Sequence, residues 1–137
     1  MARSAKGSHL LFLLIVGLLA WIVPGGGHFA LKEKKRAIII FVTIGLTFTV
    51  GIYVGSIGVI NPVQAKPWYA AQILNSPLVA VLGYLSAAGT YPVYGWPNEI
   101  GQIYTSTSGL LNLLCIVNAV YLAYAHAVDQ RRLNVDG

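Results

Sequence analysis

Trp21-Ile-Val-Pro-Gly-Gly-Gly-His-Phe-Ala-Leu-Lys-Glu-Lys-Lys-Arg36 is the stretch whose reading decides the fold. An apolar run precedes it and another follows. Pro24 lacks a backbone donor and the glycine triplet gives up helical order, so a helix must stop here. Lys32, Lys34, Lys35 and Arg36 then form the densest charge of the chain. This is the pattern of a hairpin turn at one face of a membrane, with the basic residues holding the turn in the cytoplasm.

The composition points the same way. Of 137 residues, 56% are hydrophobic and only 9% charged, with a mean hydropathy of +0.68. A soluble domain carries roughly a quarter charged residues, so this chain has too few to coat a globule. The net charge of +5 is clustered beside apolar runs, at Lys32–Arg36 and again at Arg131 and Arg132. No aromatic residues interleave with these clusters, which fits membrane topology and excludes a nucleic-acid surface. The single cysteine, Cys115, lies inside an apolar run and excludes a disulfide scaffold. Arg3 and Lys6 before Leu10–Val23 look like a signal peptide, but the residues around Ala20 fit a small-x-small cleavage site poorly. The segment is expected to be retained.

The chain reads as one integral-membrane domain, 1–137. The first apolar segment, 8–23, reaches only ~25 Å at 1.5 Å per residue, short for a hydrocarbon layer of ~30 Å. The second, 37–60, spans ~36 Å and is long enough to cross. Along it Thr43, Thr47, Gly51 and Gly55 recur every fourth residue, with Gly58 on the same side of a helix continued that far. Gly51-Ile-Tyr-Val-Gly55 is a GxxxG element of the kind that lets two helices approach closely. Asn61-Pro62 ends this helix. The third apolar stretch, 78–91, is short enough to be re-entrant, interfacial or a brief fourth crossing. Trp68, Tyr69, Tyr84, Tyr91, Tyr94, Trp96 and Tyr104 cluster around it, as aromatic residues do at headgroup level. The fourth, 103–128, is a full span. On a helical wheel its Tyr104, Ser108, Asn112, Cys115, Asn118 and His126 share one side. That stripe should face the Thr/Gly stripe of the second segment, with Asn112 and Asn118 bonding across helices.

The expected fold is therefore all-α, with three full transmembrane helices plus the short helix 78–91. Four crossings balance the basic residues between the two sides. Three crossings put six on the side of the Lys32–Arg36 turn and the C-terminus, against Arg3, Lys6 and Lys66 opposite. The positive-inside rule favours three, with the N-terminus outside.

Little in the chain suggests catalysis. Its acids are Glu33, Glu99, Asp129 and Asp136, and no paired carboxylates, Ser/His/Asp set or HExxH can be drawn from them. Gly25-Gly-Gly27 follows a helix, the wrong context for a phosphate cradle. Three histidines remain. His28 directly follows the triplet, where backbone approaches closely. His126 has Asp129 three residues on, a spacing able to orient an imidazole. Either His28 or His126 would suffice as an axial ligand to haem or a chlorophyll-type pigment. The competing reading, which we favour, has His28 bonding the turn while His9 and His126 mark interfaces.

At Trp21-Ile-Val-Pro-Gly-Gly-Gly-His28, and again at Glu99-Ile-Gly-Gln-Ile-Tyr-Thr105 followed by Gly109-Leu-Leu-Asn-Leu-Leu114, the chain resembles a family of small bacterial membrane proteins of unknown function. Their pattern is Trp-x-x-Pro-Gly-x-Gly-His, a basic loop, then Glu-x-Gly-x-x-Tyr with Gly-Leu-Leu-Asn. The hairpin half is also similar to TM-two-domain proteins. The chain departs from the family at Phe29-Ala30-Leu31, where Tyr-Leu-Gly is common, and near Asn118, where an aspartate is usual. The resemblance implies a fold and a bacterial cytoplasmic membrane location, and no reaction.

Three functions compete. The first is a non-enzymatic accessory or scaffold subunit packing against other membrane-protein subunits and lipids, motivated by small size and the glycine face. The second is a haem- or pigment-binding subunit of an electron-transfer or photosynthetic complex, through His28 or His126. The third is a small transporter or channel component, resting on Asn112 and Asn118.

Overall fold

The computed structural model describes residues 2–89, 91 and 95–136, and among these every regular element is helical. In chain order they are α1 (Ala2–Ile22), α2 (Gly26–Ala30), α3 (Lys34–Gly55), a 3-10 turn (Ile57–Val59), α4 (Lys66–Gln72), α5 (Leu78–Ala88) and α6 (Trp96–Asp136). Two helices have the length and apolarity to cross a membrane, Lys34–Gly55 and the Trp96–Gln130 part of α6. The apolar parts Gly7–Ile22 and Leu78–Ala88 are shorter. Thr90 and Tyr94, from the expected helix 78–91 and its aromatic surroundings, lie outside the described residues.

α6 is the mast of the molecule. Its 41 residues extend ~60 Å at 1.5 Å per residue. Gly95, at φ 69, turns the chain into it. Pro97 in the first turn and Glu99 beside the positive end of the helix dipole favour the start. α3 lies along the N-terminal half of α6, with Gly51 against Thr105 and Gly55 against Gly101. α1 lies along the C-terminal half, with Gly17 against Val120 and Ala20 bonded to Asn112. Both run antiparallel to α6, and hence parallel to each other. They make almost no contact with one another.

This arrangement corrects the single hairpin expected at Trp21–Arg36. The chain reverses twice there. Gly25 adopts the left-handed conformation at φ 84, and a side chain on it would meet the Ala37 carbonyl oxygen at 2.4 Å. α2 then runs back beside α1, with Gly27 wedged between Ala20 and Ala119 at 2.9 and 2.8 Å. The second reversal is a Schellman cap in which Lys32 takes the left-handed position at φ 64, where glycine is usual. The Glu33 N–H donates to the His28 carbonyl at 3.0 Å and the Lys32 N–H to the Phe29 carbonyl at 3.0 Å. α3 leaves in the direction α1 had.

α3 stops at Gly55 rather than continuing to residue 60. Ser56 turns out of the helix at φ 63, and the 3-10 turn tucks Val59 and Ile60 into a small core with Val79. Gly58 belongs to that turn and so leaves the helical stripe. α4 and α5 then form a second reversal. Ser106 bonds the Trp68 carbonyl and Asn112 that of Asn75, so α4 runs parallel to α6. α5 returns, with Gly83 under the Tyr69 ring and Ser86 back beside Trp68 and Gln102. Residues 61–65, 89, 91 and 95–98 thus lie at one end of the molecule.

Polar side chains share the interior with Val16, Val59, Ile60 and Val79, while large apolar side chains cover the outside. His28, Gln72, Asn112, Thr105 and Ser108 are among the largest fully buried side chains. Leu10, Leu14, Ile38, Ile39, Leu46 and Leu114 are each about three-fifths exposed or more.

Candidate functional site: a polar seam where two arms meet

The α1–α2 arm and the α4–α5 arm approach from opposite ends of α6, and their tips meet halfway along it. A helix end leaves its last carbonyls without partners, and in a dry interior these need donors from side chains. Three side chains supply them. The Asn112 amide Nδ2 donates to the carbonyls of Ala20 (3.3 Å), Leu74 (3.0 Å) and Asn75 (2.9 Å). Trp21 Nε1 donates to the Ile73 carbonyl at 3.0 Å, and Ser76 Oγ donates to that of Ile22 at 3.0 Å. Each arm therefore caps the other, and Asn112 caps both.

The seam continues along α6. Gln72 Nε2 donates to Thr105 Oγ1 at 2.8 Å and to the Val59 carbonyl at 3.2 Å. Thr105 donates in turn to the Gly101 carbonyl at 2.8 Å, and Ser108 to that of Thr105 at 2.7 Å. Among the described residues, four buried polar atoms are without a partner: Gln72 Oε1, Asn75 Oδ1, Asn112 Oδ1 and His28 Nδ1. The three amide atoms are oxygens. The seam's spare capacity is to accept, which suits a water molecule or a cation and repels an anion.

The histidines fall in two places. His28 is 2% exposed, and its Nε2 lies 3.0 Å from Asn118 Oδ1. An amide oxygen only accepts, so Nε2 carries the hydrogen and Nδ1 keeps a bare lone pair. His28 and Asn118 line a cleft of ≈520 Å³ between α3 and α6, together with Arg36 and Cys115. Arg36 is held by Glu33 at 3.1 Å on the surface. His126 is exposed on α6 and lines a second cleft with His9 of α1. No bond joins His126 to Asp129 among the described residues.

The expected stripe of α6 divides. Ser108 and Asn112 are buried, but Asn112 turns to α1 and the α4–α5 tip rather than to α3. Tyr104, Asn118 and His126 are exposed. On α3, Gly51 and Gly55 pack on α6, whereas Thr43 is exposed and Thr47 half-buried, its hydroxyl donating to the Thr43 carbonyl at 2.8 Å. Gly58 lines a polar groove at the far end. Gln72, Asn75 and Thr105 had not been expected at the site. The Gly101–Thr105–Ser108–Asn112 spacing, small and polar at every third or fourth residue, was the signal for Thr105.

Residues 15–132, which include the tips of both arms and the whole seam, match the model of DUF6677, a family of unknown function. The chain belongs to this family. No curated protein and no solved structure matches it. For DUF6677 the seam at Asn112 is thus a structural starting point with no assigned activity beside it.

Proposed function

We propose that this DUF6677 member is an integral protein of the bacterial cytoplasmic membrane that works as a non-enzymatic packing subunit for other membrane proteins. The observation that carries the reading is the apolar surface, with Leu, Ile and Phe exposed along the long helices while amides and hydroxyls share the interior with small aliphatic residues. In water such a surface would aggregate; in lipid it is the stable arrangement. Two crossings, α3 and α6, replace the three expected, and the two arms enter from opposite faces and turn back. Arg3, Lys6, Lys32, Lys34, Lys35, Arg36, Arg131 and Arg132 then belong to one side, and Lys66 alone to the other, out of 9 basic residues. This asymmetry is far stronger than either topology read from hydropathy allowed, and by the positive-inside rule it supports a cytoplasmic location for both termini.

Between the end of α1 and the start of α3 lies an apolar cleft of ≈450 Å³ lined by Leu19, Val23, Phe29, Ile38 and Phe41, a seat for the side chains of a partner helix. Native mass spectrometry after gentle solubilisation should recover a second membrane protein. A monodisperse monomer from every mild detergent overturns the subunit reading. The topology is tested separately, in a Cys115→Ser background. An impermeant thiol reagent added outside intact cells should label Lys66→Cys but neither Ala5→Cys nor Asp136→Cys. Outside labelling of Ala5→Cys restores the three-span arrangement.

One atom favours a second reading. The unpartnered Nδ1 of buried His28 is the remaining candidate for ligating a haem or pigment. Visible absorbance that copurifies with the protein and is lost in His28→Ala would establish it, and a colourless complex would remove it. The transport reading is carried no further, because Asn112 is sealed in the seam while Asn118 faces outward.

A further inference from the structure

At the end of the molecule that carries Lys66 and none of the other basic residues, the α4–α5 arm, the loop after α3 and the first turns of α6 enclose a groove of ≈700 Å³. Its polar lining comes from Asn61, Gln64, Ser86, Asn98 and Gln102, with Trp68 as an aromatic wall, and among the described residues none that lines it is charged. We propose that this groove binds a neutral, hydroxyl-rich group, a saccharide. The inference goes beyond the packing role and uses that reading only to place the groove at the outer membrane face.

The chemistry of the lining carries the argument. A sugar hydroxyl both donates and accepts, and an amide side chain offers both functions on one planar group. Asn98 and Gln102 stand one turn apart on α6, half-buried, and neither side chain bonds to another described residue. Ser86 is 9% exposed and its hydroxyl is likewise unused by the described residues. Asn61 Oδ1 accepts from the Val63 and Gln64 N–H groups at 2.9 and 2.8 Å, which fixes the side chain and leaves its NH₂ to donate. Trp68 is 41% exposed, so an indole surface is open to the apolar face of a sugar ring. A phosphate or carboxylate ligand would need a cation here, and the lining contains none. The volume lies within the range of small-molecule sites. The hydroxyl-rich group could belong to a free saccharide or to a glycolipid headgroup.

The test uses the full chain in phosphatidylcholine nanodiscs, with tryptophan emission as readout. One arm titrates a free disaccharide, diacetylchitobiose. The other compares nanodiscs with and without diglucosyl diacylglycerol. A saturable change in either arm is expected, and the arm that responds identifies the source. Trp68→Phe should abolish the signal. Asn98→Ala and Gln102→Ala should each weaken binding about tenfold, the loss of one or two hydrogen bonds. Because neither side chain bonds to the described protein, their thermal transitions should match the parent, which separates a binding defect from misfolding. Three results overturn the proposal: no saturable response in either arm, undiminished binding by both alanine variants, or a larger response to phosphatidylglycerol than to either sugar. Such a failure leaves the membrane reading intact, since the labelling pattern above does not depend on it.

Discussion

The two arms do the same thing by different means. Each enters from one end of α6, reaches about the level of Asn112 and turns back. The first is held by shape: Gly26 lies against the Leu19 carbonyl, Gly27 against Ala20 and Ala119, and Val16, Ala20, Ala119 and Ala123 form its core. The second is held by polar stitching, through Gln72, the Trp68 carbonyl and the two carbonyls caught by Asn112. On the membrane reading proposed above, the hydrophobic effect contributes little between helices in lipid, which leaves close packing and hydrogen bonds as the available glue. Each arm relies mainly on one of them. The difference follows from their ends. A glycine triplet can lay backbone on backbone, whereas the Asn75-Ser76-Pro77 turn exposes carbonyls that need donors.

That comparison can be broken most severely at Gly109, where the second arm packs backbone to backbone on α6. A Cβ there would come 2.0 Å from the Ala71 carbonyl oxygen, and backbone cannot yield as a side-chain tip can. Gly109→Val should detach the α4–α5 arm at about 4 kcal/mol or more, measured by reversible denaturation in mixed micelles. Asn112→Leu conserves volume but leaves three carbonyls without their donor, and about 3 kcal/mol is expected. Because Asn112 caps both arms, protease should then cut the turn at 73–77 as well as the one at 23–25. Cleavage confined to one turn would show that the arms are independent. Gly27→Ala is milder, since the new methyl meets the Ala119 and Ala20 methyls at 2.8 and 2.9 Å and the Val16 carbonyl oxygen at 3.0 Å, each a less severe approach than the 2.0 Å at Gly109. About 2 kcal/mol is expected, and only the first arm should loosen.

How much of this could be read from the residues divides along the same line. The helix break at Pro24 and the close-packing role of Gly51 and Gly55 were legible, because proline, glycine and their spacing act locally. The double reversal was not. It depends on Lys32 accepting a left-handed conformation, which its side chain does not advertise, and on Ala119 lying ninety residues away. Asn112 was visible as a polar residue that must face protein, but its partners are main-chain carbonyls, which have no sequence signature. His28 and Asn118 were each singled out for other reasons, and only the fold puts them 3.0 Å apart. Gln72 lay between the second and third apolar segments and gave no warning that it would be fully buried.

The smallest expected effect is the most informative about how the arms meet. Trp21 and Ser76 form a reciprocal pair, each donating from one tip to the last carbonyls of the other. Interhelical hydrogen bonds in membrane proteins average about 0.6 kcal/mol, so Ser76→Ala should cost roughly that amount. Trp21→Phe should cost somewhat more, because ring contact is lost with the donor. The informative quantity is the double variant. If the tips dock as one unit, losing either bond lets the tips part and weakens the other. The double variant should then fall short of the sum of the singles by about 0.5 kcal/mol or more. Strict additivity would mean that Asn112 alone fixes the junction, with the outer bonds following it. The asymmetry between a shape-held arm and a bond-held arm would then rest on a single amide.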